Sequence, residues 1–264
     1  MIDLQGIDKF YDGRAVLQQV NWTMNSGEFW GIIGPNGSGK TTLLHVISGL
    51  EKPDQGTVTL AGQSLEHFSR KQLAQMMAVL QQDGLPQVDF TVRQVVEMGR
   101  FPFLNWMGRD KLGQAEEVIQ PIMEKLELTE LAEQPLNKLS GGQRQRVAIG
   151  KMMAQQPSLV LLDEPTTFLD IQYQLQFMEY MKAWQKEDGL SVVAVIHDLN
   201  MAAMFCDHLL LMQEGQIVAA GTPEDVLTPE QIKDVFDVDV VKIKHPDTGQ
   251  AQFLVRPGKF NASS

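Results

Sequence analysis

Residues 34 to 41 read Gly34-Pro35-Asn36-Gly37-Ser38-Gly39-Lys40-Thr41, and few octapeptides leave a chain so little freedom. Glycines at this density let successive backbone N–H groups turn towards one point, and a lysine and a hydroxyl stand at the loop's exit. Such a loop needs a buried strand before it and a helix after it, because the helix N-terminus contributes the positive end of its dipole. Both flanks are present. Phe29-Trp30-Gly31-Ile32-Ile33 is a continuous apolar run, and Leu43, Leu44, Val46 and Ile47 recur at helical spacing. The mechanism this predicts is a phosphate cradle, with Lys40 reaching β- and γ-phosphates and the Thr41 hydroxyl on Mg²⁺. A chance glycine turn rarely carries the lysine, the hydroxyl and both flanks together.

The rest of the chain is read around that unit. Ile2 to Lys9 and Val20 to Met24 alternate as half-buried strands do. From Thr91 to about Ala154 the periodicity is helical, with Pro102 and Pro121 expected to break or kink it. Leu159 to Leu162, Val192 to Ile196 and Leu209 to Met212 are short apolar runs, and helical patterns lie between them at Gln172 to Lys186 and Leu199 to Phe205. Strand alternating with helix predicts an α/β core on a parallel sheet. The expected organisation is one domain over about 1–240, with a helical subdomain inserted at about 88–155 and a C-terminal hairpin and tail over 241–264.

Two further motifs carry chemistry. Leu159-Val160-Leu161-Leu162 ends in Asp163-Glu164. Alone this is a buried strand with an acidic loop. Beside a phosphate loop, Asp163 is placed to hold Mg²⁺ through its water shell and Glu164 to polarise an attacking water as general base. Leu139-Ser140-Gly141-Gly142-Gln143 opens the last helix of the helical stretch. Ser140 and Gln143 have capping-box spacing. Capping does not need two glycines, whereas an anion approaching the helix N-terminus gains from a first turn without side-chain bulk.

The order of these motifs (the Walker A loop, Leu-Ser-Gly-Gly-Gln, Leu-Leu-Asp-Glu-Pro-Thr, then a lone histidine after a strand) resembles the ATP-binding-cassette (ABC) ATPases over nearly the whole chain. The resemblance implies a P-loop NTPase core with a parallel sheet, an N-terminal antiparallel β-subdomain and an inserted helical subdomain. It implies an ATPase coupled to transport, with ATP and Mg²⁺ held along Gly34, Pro35, Asn36, Gly37, Ser38, Gly39, Lys40, Thr41 and Thr42. Tyr11 would stack on adenine with Val16 nearby, although residue by residue Tyr11 reads as an ordinary aromatic before the Asp12-Gly13 turn. Gln82 would sense Mg²⁺, Asp170 would communicate across a dimer, and His197 would contact the γ-phosphate and orient Glu164. Two chains would meet head to tail, each ATP lying between one Walker A loop and Ser140, Gly141, Gly142 and Gln143 of the other. The departures from the family pattern are Gln81 in place of proline, Thr167 in place of serine, and Gly150-Lys151-Met152-Met153 after the signature.

Composition narrows the partners. The formal net charge of −11 argues against nucleic acid and against direct adsorption on an anionic leaflet. The first residues carry no signal-peptide pattern, no apolar run reaches membrane-spanning length, and a single cysteine, Cys206, suits a reducing compartment. The expected place is the cytoplasmic face of a membrane, held there by integral permease subunits that are served in turn by an extracytoplasmic binding protein. Thr91 to Arg100, Glu164 to Ile171 and His197 to Asn200 are similar to importers of iron–siderophore complexes, haem and cobalamin. Manganese or zinc importers are the alternative, and a non-transport ABC ATPase or a P-loop kinase is disfavoured by the Ser-Gly-Gly-Gln signature. Phe101, Phe103 and Trp106 are expected in core packing, and the methionines as gap-fillers.

Overall fold

The computed structural model describes residues 1–82, 85, 89–108, 110, 115–167 and 169–257. Phe168, within the stretch Glu164 to Ile171, and positions 258–264 of the expected tail lie outside the described residues. The chain divides into two compact units, Met1–Gln63 with Val193–Ser264, and Ser64–Val192. In chain order the elements are β1 (Ile2–Tyr11), β2 (Arg14–Met24), β3 (Phe29–Ile33), α1 (Lys40–Ser48), β4 (Gln55–Leu60), β5 (Gln63–Ser64), α2 (Arg70–Met76), β6 (Met77–Leu80), α3 (Val92–Glu97), α4 (Ala115–Lys125) and α5 (Gly141–Ala154). They continue with β7 (Leu159–Leu162), α6 (Ile171–Asp188), β8 (Ser191–Val195), α7 (Leu199–Phe205), β9 (His208–Gln213), β10 (Gln216–Gly221), α8 (Pro223–Val226), α9 (Pro229–Phe236), β11 (Val240–Lys244) and β12 (Ala251–Val255).

In the first unit β2, β1 and β4 form an antiparallel sheet, with Ile2 opposite both Met24 and Leu60. Ile2, Leu4 and Ile7 bury one face of β1 against Leu17, Val20 and Met24 of β2. β2 starts six residues before the alternation from Val20, because Asp12 and Gly13 both take positive φ (49° and 78°). That is the turn a two-residue hairpin needs, and it pairs Tyr11 with Arg14 although the segment from Arg14 is polar. Beside it β10, β9, β3 and β8 lie in that order. β3 runs parallel to β9, Trp30 opposite His208 and Ile33 opposite Leu211, and all five of its residues are buried. A strand covered on both faces has no use for alternation, which is why its sequence is a plain apolar run. The β11–β12 hairpin is fastened to α7 by Asn200, whose Oδ1 accepts the Phe253 N–H at 2.7 Å.

In the second unit β6 and β7 pair in parallel, Met77 opposite Leu159 and Leu80 opposite Leu162, and α2 to α6 are the α-helices. Pro121 lies inside α4 without ending it, and Pro102 sits in a 3₁₀ turn over Met98–Phe103. Met123, Met152, Met178 and Met181 fill the helical core. Of the aromatic cluster, Phe103 is half-buried and the other two rings are not. Phe101 is 60% and Trp106 91% exposed. The interior position goes to Arg100 instead. Its Nε meets Asp110 at 2.9 Å, its Nη1 donates to the Ala154 carbonyl (3.0 Å) and to Gln156 Oε1 (2.7 Å), and Phe103 lies against its guanidinium at 4.1 Å. A buried guanidinium must be bonded on several sides, so the loop wraps around it and turns Phe101 and Trp106 outwards. No helix among the described residues is long and apolar enough to cross a membrane.

Candidate nucleotide site

The phosphate loop leaves β3 and closes into α1 entirely within the first unit. Gly34, Gly37 and Gly39 take φ of 153°, 79° and 99°. A Cβ on Gly34 would stand 2.2 Å from the Met212 carbonyl, and one on Gly39 2.7 Å from the Val16 carbonyl, so both positions exclude side chains twice over. Lys40 is buried, and its Nζ donates to the carbonyls of Gly34 and Pro35, 2.9 Å each. The ammonium therefore lies within the curve of the loop. The Ser38 Oγ is buried with no protein partner, and Gly39 caps α1 without a side-chain bond. An orphaned hydroxyl at the N-terminus of a helix capped by glycine fits a polyphosphate.

Two neighbours of this loop escaped sequence reasoning in part. Val16, expected near the base, has its carbonyl packed at Gly39. Gly215, in the turn between β9 and β10, was not anticipated. Its N–H donates to the Ser38 carbonyl at 3.1 Å and its carbonyl accepts from Gln18 at 2.9 Å, so this turn buttresses the loop. The only local signal is the Glu214-Gly215 pair, both at positive φ. Tyr11 is 41% exposed, its hydroxyl bonded to Glu51. Burial first, and then the Glu51 carboxylate, push its phenol above the ordinary value. His197 is exposed at the end of β8, and Asp198 caps α7 by accepting from Asn200 and Met201. The entry into α7 is thus made by Asp198, the residue after His197.

In the second unit Asp163 is buried at the end of β7, its N–H bonded to the Leu80 carbonyl at 2.9 Å. Glu164 follows at φ 49°, a left-handed conformation that costs a non-glycine residue about 1–2 kcal/mol. Gln82 Nε2 donates to Glu164 Oε2 at 2.9 Å and Thr167 Oγ1 donates to the same oxygen at 3.2 Å. Gln82 and Glu164, 82 residues apart, are thus brought together, and the strained backbone holds the carboxylate at the strand's mouth. Asp170 is exposed at the N-terminus of α6. Ser140 caps α5 in a full capping box with Gln143, at 3.3 and 2.9 Å.

The two signature glycines have different reasons. A Cβ on Gly142 would meet the Tyr173 ring at 2.2 Å, whereas one on Gly141 would meet nothing within 4 Å. Gly142→Ala is expected to cost about 1–3 kcal/mol of stability through overpacking. In the Tyr173→Ala background most of that loss should disappear. Equal losses in both backgrounds, by chemical denaturation, would refute the contact.

A glycine loop closing on a buried lysine, paired carboxylates after a buried strand, and a capped Ser-Gly-Gly turn together define a P-loop nucleotide-binding protein. The ABC transporter family model matches residues 17–167, and the chain belongs to that family, as an ATP-binding domain. It is 40% identical over 255 residues to the ABC transporter ATP-binding protein YvrA of Bacillus subtilis (strain 168), covering 97% of this chain and 58% of YvrA. It is 37% identical over 243 residues to the ferric enterobactin transport ATP-binding protein FepC of Escherichia coli (strain K12), covering 90% and 88%. The chain thus spans less than two thirds of YvrA's length and most of FepC's. Among solved structures it resembles the ATP-binding cassette MJ0796, a dimer in a post-hydrolysis state bound to ADP and Pi. That match is 29% identical, covers 84% of this chain and 99% of that one, and has a TM-score of 0.71.

Proposed function

We infer that this chain hydrolyses ATP to drive an ABC importer for a metal-chelate substrate, of the iron–siderophore, haem or cobalamin kind. The observation that carries the hydrolytic reading is the Glu164 carboxylate, held by Gln82 and Thr167 on a strained backbone directly after Asp163. A carboxylate so fixed can take a proton from water, and the amide of Gln82 keeps the accepting oxygen aimed. Lys40 and the N-terminus of α1 bind and orient the β- and γ-phosphates, and His197 orients the terminal one. Thr41, Gln82 and Asp163 offer the hard oxygens that Mg²⁺ prefers, and Mg²⁺ bound there would offset charge on the phosphates. Nucleotide binding in trans is supported by the exposed Ser140 and Gly141 and by the open space at Gly141. The exposed Asp170 stands ready to meet the partner copy. Exposed Phe101, Trp106 and Met107 supply apolar surface for membrane permease subunits, which would hold the chain at the cytoplasmic face and receive cargo from a binding protein. The helical stretch at about 88–155 is read as the insertion that carries this surface.

The chelate assignment leans on the likeness to FepC and on the motifs from Thr91 and from Glu164. It is tested by deleting the reading frame in its host and following uptake of labelled ferric siderophore, cobalamin and manganese. Loss of chelate uptake, restored by the intact chain and not by Lys40→Ala, is the expected result. Loss confined to manganese would favour the divalent-cation importers instead.

A further inference from the structure

Tyr11 leaves the β1–β2 hairpin with more contacts than a surface tyrosine needs. Its hydroxyl is bonded to Glu51, which follows α1. The other Glu51 oxygen meets His45 Nδ1 at 3.3 Å. Lys9 lies over the ring, its Nζ 5.5 Å from the centroid, and is tied down by the Lys52 carbonyl (2.8 Å) and by Glu51 and Asp54 (4.0 and 3.9 Å). His45 belongs to the phosphate loop's own helix. The network therefore connects the aromatic ring to the element that holds the phosphates.

We propose that Glu51 is a positioning residue, which with Lys9 holds Tyr11 as a preset platform for the nucleotide base at a fixed distance from the phosphate loop. The proposal rests on the nucleotide reading above and extends it. A stacking ring on a hairpin tip would otherwise lose rotamer freedom when a base arrives, and that ordering cost subtracts from affinity. Fixing the hydroxyl removes the cost in advance. Lys9 over one face leaves the opposite face to the base, and a cation on the far side of the ring does not compete with stacking.

The test separates base from phosphate by using two ligands, MgATP and magnesium tripolyphosphate, which has no base. Glu51→Ala should weaken MgATP binding about three- to tenfold, the range of one aromatic contact. Tripolyphosphate affinity should stay within about twofold. Tyr11→Phe should reproduce that pattern, and the double variant should lose no more than either single one. Glu51→Gln keeps an oxygen that accepts the phenol's hydrogen bond and should recover most of the loss. Unchanged MgATP affinity in Glu51→Ala would overturn the proposal. So would an equal loss for tripolyphosphate, or a Glu51→Gln variant as weak as Glu51→Ala. Failure of the phosphate-loop reading looks different: Lys40→Ala would then leave tripolyphosphate affinity intact.

Discussion

Glu164→Gln is expected to bind MgATP with near-normal affinity while kcat falls about 10²- to 10⁴-fold, the usual worth of a general base. The amide has the shape of the carboxylate, so the left-handed turn at residue 164 is no more strained than before. Gln82 Nε2 and Thr167 Oγ1 can still donate to the remaining carbonyl oxygen. What is lost is the capacity to take a proton. If two chains close on ATP, the variant should accumulate as an ATP-dependent dimer, because closure depends on binding and reopening on hydrolysis. Size-exclusion chromatography with and without ATP and Mg²⁺ measures the dimer, and single-turnover kinetics measure the chemical step. An undiminished kcat would remove Glu164 from the role proposed for it. Gln82→Ala gives a graded comparison. It leaves the base in place and frees its carboxylate, so its loss should be the smaller of the two.

The parts of this site that sequence made legible are those whose partners are local. The glycine loop, the capping box of Ser140 and Gln143, and the apolar strands β3 and β7 each carry their reason within about ten residues, and the structure has each of them. Interactions across long separations are a different matter. Tyr11 meets Glu51 across 40 residues, Gln18 meets Glu214 across 196, and Gln82 meets Glu164 across 82. No periodicity marks such pairs, because each partner sits in a segment whose own pattern is satisfied without it. The aromatic run from Phe101 failed for a related reason. Phe and Trp are ordinarily core residues, but a neighbouring arginine bonded to Asp110, Ala154 and Gln156 took the interior place. Hydrophobicity ranks residues one at a time, and the competition was between a ring and a multiply bonded cation.

The contrast between the two signature glycines supplies the second large effect. Gly141 is exposed, its Cβ would touch nothing, and its φ is not in the left-handed region. Nothing within this chain therefore requires glycine there, and Gly141→Arg should fold with the Ser140–Gln143 capping box intact. If the turn faces a second chain's nucleotide, however, the bulk of arginine should block the one site that this turn faces. Hydrolysis should then fall to a few per cent or less, of order the loss for a displaced catalytic geometry, while MgATP still binds to the variant's own loop. Lys40→Ala chains should be equally inactive for the opposite reason. Mixed one to one, random pairing makes half of the dimers hybrids, and each hybrid has one site with an intact loop facing an intact turn. About a quarter of normal turnover is then expected if single sites fire independently. Sites closed within one chain would give no recovery, since each chain would keep its own lesion. Should single-site dimers prove silent, a disulfide decides between the arrangements. Cysteines at Ser38 and Gly141, in a Cys206→Ala background, are expected to link two chains only when ATP is present. Gly141 is the position to use, because a side chain at Gly142 would strike Tyr173. Product confined to single chains would overturn the head-to-tail arrangement.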